Sequence, residues 1–269
     1  MATTRTASRT RPATPARGQQ SISERIRAYR DDPVLQRIRP KGMIWACEDE
    51  ESNVGEATIH TLSAGILFYG LTFHFASLPR IQVFANLNLY FSTAHPNLFL
   101  TPDVMVVQPS HLLPVQVASY RIGEQGPLPL LVAEVLSPRT YREGDLTGKP
   151  IQYGEIGIEE YLLADVTGEM LAQRLLLLRR QRDGNWRDEQ DADGGVTSRL
   201  GLRVVIEADG QLRVFDAKTG ERYPRPEEAL AEARARRKAE ERNRALEEEL
   251  ARLRGTEPKK KGKGRRRKS

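Results

Sequence analysis

The sequence predicts a mixed α/β domain, and three observations carry that expectation. Ile59, Leu62, Ile66, Tyr69 and Phe73 recur at helical spacing, the period of an amphipathic helix. Short apolar runs rich in Val, Ile, Leu and Phe follow, interrupted by a second helical stretch near 150–156. An order of helix, strands, helix and strands belongs to the mixed α/β class.

Taken in order, residues 21–40 read as a short helix punctuated by Asp32-Pro33 and Pro40, because the residue before a proline is steered away from helical geometry. The amphipathic helix follows from Gly55 to Phe73. Strand-like runs come next at Ile81–Phe84, Leu87–Phe91, Val104–Val107, Leu128–Leu136, Tyr161–Asp165, Leu171–Leu178, Leu202–Glu207 and Leu212–Phe215. Asp209-Gly210 between the last two is a two-residue hairpin signal. Pro224 and Pro226 close the domain. Beyond them, residues 226–254 consist almost entirely of helix formers, with Leu246, Leu250 and Leu253 spaced four and three apart. Extended backward, that phase meets Asn243, Ala239 and Arg236, so a solvent-exposed helix and a short dimerising coiled coil both stay open. The expected organisation is a disordered basic leader at 1–20, one domain at 21–222, the charged helix at 226–254 and a disordered basic tail at 255–269.

Composition bounds the function. Of the 269 residues, 39% are apolar and 29% are charged, a balance that suits a globular centre with polar extensions. The formal charge is +6, but residues 1–20 and 259–269 hold twelve of the 42 basic residues and no acid. The remainder carries 30 basic against 36 acidic residues, a net of −6. Cationic segments attract any polyanion by releasing its counterions; the alternative is that they only solubilise. Cys47 is the lone cysteine, which rules out an intrachain disulfide or thiolate cluster and fits a reducing cytoplasm. No apolar run reaches the roughly 18–20 residues of a membrane span. His60, His74, His95 and His111 lack metal-site spacing and read as structural. Neither a Ser–His–Asp arrangement, a phosphate-binding loop nor a dinucleotide fingerprint is present.

Three features between 101 and 165 carry chemistry. Pro102-Asp103 opens the apolar run Val104–Val107. Glu134 sits inside the apolar run LPLLVAEVLSP, where an unpaired carboxylate costs on the order of several kcal/mol unless a cation or partner meets it. Asp145, Lys149 and Tyr153 follow at successive spacings of four, which on a helix places them on one face.

Together these segments resemble the Uma-two family of restriction endonucleases. Its members show a Pro-Asp strand and an apolar strand ending E-x-x-S-P. D-x-x-x-K-x-x-x-Y follows, then a G-[VI]-x-E-Y stretch ending in Asp. The matching positions are Asp103, Glu134, Ser137-Pro138, Asp145, Lys149, Tyr153, Gly157-Ile158, Glu160-Tyr161 and Asp165. The likeness spans roughly residues 45–245. It implies a PD-(D/E)XK fold, a restriction-endonuclease-like mixed β-sheet flanked by helices. It further implies Mg²⁺ (or Mn²⁺) held by Asp103 and Glu134, with a carbonyl near Val135 completing the shell, and a catalytic Lys149 whose ammonium orients or activates the attacking water and stabilises the charge on the phosphate. The partner is then nucleic acid, DNA above RNA, and the reaction phosphodiester hydrolysis. Asp145 and Tyr153 enter as supporting residues of the same motif, and Glu56 as an acid on the first helix.

One departure bears on the chemistry. The namesake motif has lysine two residues after the acid, but position 136 is Leu, so the role passes to Lys149. Pro150 follows it, and the helix is expected to begin at Pro150 with Lys149 at its cap. Arg139 and Arg142 are the substitutes. An acidic body and this break also support an alternative, a nuclease fold without catalysis that binds nucleic acid or assembles through its tail and C-terminal helix. A structural homodimer is the third reading.

Overall fold

The computed structural model describes residues 58–92, 98–138 and 141–255. Expectations that concern 21–40, Cys47, Glu56, His95, Arg139 and the two basic termini lie outside the described residues, as does the side chain of Arg142. The chain divides into two units, Met1–Tyr223 and Pro224–Ser269.

In the first unit, helix α1 (Thr58–His74) leads into strands β1 (Gln82–Ala85), β2 (Asn88–Tyr90), β3 (Phe99–Leu100), β4 (Val104–Val107), β5 (Ser119–Arg121) and β6 (Leu131–Val135). A π-helical turn, Tyr141–Gly148, runs directly into α2 (Lys149–Ile156). Strands β7 (Glu160–Ala164), β8 (Leu175–Arg180), β9 (Trp186–Glu189), β10 (Val196–Thr197), β11 (Leu202–Ile206) and β12 (Leu212–Asp216) complete the unit. The main sheet has six strands in the order β1-β4-β6-β7-β8-β9. All its pairs are antiparallel except β6 with β7, and that parallel pair needs the crossover that the π-helical turn and α2 provide. Two three-stranded sheets, β10-β11-β12 and β3-β2-β5, complete the arrangement.

Both faces of the main sheet are covered, which is why β4, β6 and β7 are buried at every position and read as continuous apolar runs rather than alternations. On one face Met105, Val132, Tyr161 and Leu163 pack with Ile151 and Tyr153 of α2 and with Leu89, Leu100 and Tyr120 of the β3-β2-β5 sheet. On the other, Val104, Ala133 and Leu162 pack with Leu67 and Leu71 of α1 and with Val204 and Val214 of the β10-β11-β12 sheet.

The helix α1 forms where expected, but of its five spaced apolar residues only Ile66 turns inward. Ile59, Leu62, Tyr69 and Phe73 are exposed, and the buried side is His60, Ser63, Ala64, Ile66, Leu67, Gly70 and Leu71. Close approach decides the matter: a Cβ on Gly70 would lie 2.5 Å from a Val214 methyl, so α1 seats its small residues against β12. The final hairpin also differs. Glu207 N–H donates to Gln211 C=O and Gly210 N–H to Glu207 C=O, each at 2.9 Å, with Gly210 at φ 81°. The loop therefore has three residues, a type I turn closed by a left-handed glycine rather than the two-residue turn.

In the second unit, α3 (Pro226–Leu253) buries none of its residues, and Leu246, Leu250 and Leu253 are exposed. Its start is fixed locally: Arg225 N–H donates to Glu228 Oε2 at 2.9 Å, Pro226 occupies the first turn, and Glu227 and Glu228 favour the positive helix end. Among the described residues, no helix is long and apolar enough to cross a membrane.

Candidate active site

Strand register brings the two acids together. In the antiparallel pair β4–β6, Val104 lies opposite Ala133 and Met105 opposite Val132. One residue further along this ladder, Asp103 faces Glu134, and directly opposed residues project to the same side of a sheet. Reciprocal backbone contacts fix the pair. Asp103 N–H points at Glu134 Oε2 at 3.3 Å, and Val135 N–H donates to Asp103 Oδ2 at 2.7 Å. Each carboxylate is thus held by the strand that carries the other. Glu134 is 1% exposed and Asp103 7%.

The crossover between β6 and β7 then delivers Lys149 to this pair. Its ammonium lies 3.0 Å from Glu134 Oε1 and 3.1 Å from Asp145 Oδ1. Tyr153 donates its hydroxyl to the same Glu134 Oε1 at 3.0 Å. The expectation that the helix begins at Pro150 is corrected. Residue Lys149 is already helical, because the π-helical turn continues into α2 and Pro150 falls within the first turn, where a missing N–H costs little. The spacing of four between Asp145 and Lys149 is realised as an ion pair, and Tyr153 one turn on faces the same centre.

By spacing His60 reads as structural, yet its Nε2 lies 3.2 Å from Asp103 Oδ2 and it is 7% exposed. No spacing pattern marks it; only its place in the first turn of the first helix, beside the expected Glu56, could have drawn attention. Glu56 itself lies outside the described residues. The other described histidine of that helix matches its structural reading. The nitrogen Nε2 of His74 lies 3.0 Å from the Leu200 carbonyl, an acceptor only, so Nε2 donates there, and Nδ1 lies 3.0 Å from the Tyr223 hydroxyl.

Other residues of the motif build the surroundings. Tyr161 is fully buried, and its hydroxyl donates to the Asp145 carbonyl at 3.0 Å. Burial, reinforced by the charges of Glu134 and Asp145, holds that hydroxyl's pKa well above its ordinary value, so it stays a donor. Glu160 is bound by Arg179, whose Nη2 lies 3.0 Å away, by Arg199 N–H at 3.0 Å and by the Ser198 hydroxyl. It ties β7 to the β8–β10 region. The helix α2 is pinned from outside the motif: Trp186 Nε1 donates to the Pro150 carbonyl at 2.8 Å and Arg180 Nε to the Gly154 carbonyl at 2.9 Å. These two clamps were not legible in sequence, since neither lies near the acids along the chain.

A mixed α/β fold with a buried centre of two facing carboxylates and a lysine is the class that these elements define. Residues 53–209 match the model of the Uma2 family, described as putative restriction endonuclease, and the chain belongs to that family. Among solved structures, the chain is similar to a putative nuclease belonging to DUF820 from Anabaena variabilis. The identity is 16% and the TM-score 0.40, over 53% of this chain and 73% of that one. No curated protein matches the chain.

Proposed function

We propose that this protein is a divalent-metal-dependent nuclease that hydrolyses phosphodiester bonds, with DNA as its substrate. The observation that carries the reading is the pairing of Asp103 with Glu134 across β4 and β6, with the Lys149 ammonium 3.0 Å from Glu134 Oε1. Burying charges this deeply is costly for a fold that gains nothing from them, and such clusters concentrate at functional sites.

The donor set fits a small hard cation. Glu134 and Asp145 meet the Lys149 ammonium, and Asp103 lies beside Glu134 across the strand pair. Mg²⁺ or Mn²⁺ would be held by Asp103 and Glu134. Mg²⁺ takes only one or two protein carboxylates and fills its shell with water and phosphate oxygens. The pair therefore suffices, although among the described residues no group of three His, Cys, Asp or Glu stands ready as a cage. When bound, such a cation supplies positive charge to phosphate oxygens and acidifies water.

The chain's own residues do the rest. Lys149 keeps an ammonium beside Glu134, in place to offset charge that develops on a phosphate oxygen or to orient the attacking water. Tyr153 fixes Glu134 through Oε1, and Val135 N–H and His60 fix Asp103 through Oδ2. Preset in this way, the carboxylates need no reorganisation when substrate arrives. DNA as substrate is supported by the family's description and by the cationic segments 1–20 and 259–269, which attract polyanions.

The test is isothermal titration of Mn²⁺ and Mg²⁺ into wild type, Glu134→Gln and Lys149→Ala, run beside nicking of supercoiled plasmid. Glu134→Gln is expected to lose metal binding and to cut at least about 100-fold more slowly. Lys149→Ala is expected to keep Mn²⁺ binding and lose cleavage. Wild-type protein that binds neither cation and nicks nothing would replace this reading with a nuclease-fold protein acting through nucleic-acid binding or assembly.

A further inference from the structure

The β3-β2-β5 sheet presents a face that the catalytic reading does not use. Its register places Ser119, Asn88 and Thr101 in one row and Arg121, Tyr90 and Phe99 in the next, with Tyr120, Leu89 and Leu100 on the opposite side. Tyr120, Leu89 and Leu100 are buried in the core beneath. The outward six are partly exposed. In the second row the Tyr90 and Phe99 rings lie 5.3 Å apart at 43°, and the Arg121 guanidinium sits 4.3 Å from the Tyr90 ring centre. In the first row the Thr101 hydroxyl donates to Asn88 Oδ1 at 2.9 Å. Two aromatics and a planar cation beside a row of hydroxyl and amide groups form a surface that is apolar enough to stack on and cationic enough to attract phosphate.

Short chain segments join this sheet to the candidate active site. Thr101 precedes Asp103 by two residues, and Asn86 N–H, two residues before β2 begins, donates to the Asp103 carbonyl at 3.0 Å. From Phe99 to Asp103 the chain spans at most about 13 Å at the strand rise, a reach of roughly two nucleotides of extended single strand.

We propose that Tyr90, Phe99 and Arg121 form a stacking platform for an unpaired base of the nucleic-acid strand whose phosphate lies at Asp103 and Glu134. Stacking requires an exposed base face, which a single strand or an extruded nucleotide offers and an intact duplex does not. Arg121 braces the Tyr90 ring by cation–π contact and offers its remaining donors to the strand's phosphates. The inference rests on the nuclease reading above for the position of the strand, but its test does not depend on cleavage.

The experiment uses the full chain and a short oligothymidylate carrying one fluorescent aminopurine, whose emission is quenched by stacking, with anisotropy read in parallel. Wild type is expected to bind and quench. Tyr90→Ala is expected to lose the quench and at least about fivefold in affinity, the low end for one stacked base, while Tyr90→Phe keeps both. Arg121→Gln, which leaves the buried side of the sheet untouched, is expected to weaken binding and flatten its salt dependence. Far-ultraviolet circular dichroism checks that each variant folds. Wild-type quench and affinity in both Tyr90→Ala and Arg121→Gln overturn the platform. Plasmid nicking by a wild type that does not quench the oligonucleotide also overturns it while leaving the nuclease reading intact, whereas quench without nicking supports the platform and counts against the nuclease.

Discussion

At the scale of the residue, His60 is the side chain whose role changes most between sequence and structure. Its Nε2 contacts Asp103 Oδ2 at 3.2 Å, the same oxygen that accepts Val135 N–H. Two donors on one oxygen set the orientation of the carboxylate, and if Asp103 holds the proposed cation, groups that orient such a ligand are typically worth 10- to 100-fold in metal affinity. His60→Ala is therefore expected to weaken Mn²⁺ binding by about tenfold or more, measured by titration calorimetry. His60→Gln, which can still donate to Oδ2, is expected to recover much of that loss. Equal affinities in wild type and both variants would show that the imidazole only fills space. Trp186 and Arg180 act at one further remove, by anchoring the carbonyls of Pro150 and Gly154 and so the helix on which Lys149 and Tyr153 ride.

At the scale of the element, the β7–β8 connection shows how one carboxylate shapes a loop. Asp165 Oδ1 accepts from Thr167 N–H, the Thr167 hydroxyl and Gly168 N–H, and Oδ2 from Met170 and Leu171 N–H. These bonds occupy the backbone donors through Leu171, which is why β8 starts at Leu175 although the apolar run begins earlier. Burial alone would raise the Asp165 pKa, but the backbone and hydroxyl donors outweigh it and hold the carboxyl below its ordinary value. With the folded pKa below the unfolded one, the unfolded chain takes up its proton first. The stabilisation from Asp165 is therefore complete above about pH 4 and is lost as pH falls through the lowered folded value. Asp165→Asn is expected to lose about 1–3 kcal/mol at neutral pH, the range for leaving buried donors unmet. Its urea midpoint should also fall less steeply than that of wild type below about pH 4. Parallel acid profiles for the two proteins would show that another group carries the acid sensitivity.

At the scale of the whole molecule, charge is segregated. The segments 1–20 and 259–269 hold twelve basic residues and no acid, and the remainder carries a net −6. On the proposed function, a nucleic-acid strand would meet the cationic segments first, by counterion release whose strength falls with salt. Removal of residues 257–269 is expected to flatten the slope of log affinity for DNA against log salt, measured by anisotropy across a salt series. An unchanged slope would place the electrostatic contribution elsewhere. Homodimerisation through α3 remains a proposal that the exposed Leu246, Leu250 and Leu253 make specific to that helix.

The sequence by itself determined the mixed α/β class, the central strands and the order Asp103, Glu134, Lys149. Continuous apolar runs cannot be solvated and so declare buried strands, and an acid inside such a run declares an unusual site. Spacing by four sufficed to bring Asp145, Lys149 and Tyr153 to one centre because helical geometry is local. What the sequence left open is what depends on partners distant along the chain. The inward face of α1 followed from Gly70 meeting Val214, not from the apolar period. The strands β3 and β10, two residues each, exist only through their neighbours. His60 meets Asp103, and Trp186 meets Pro150, across separations over which no periodicity persists. Tertiary structure decided these, since close packing and register are set between elements that the chain brings together only on folding.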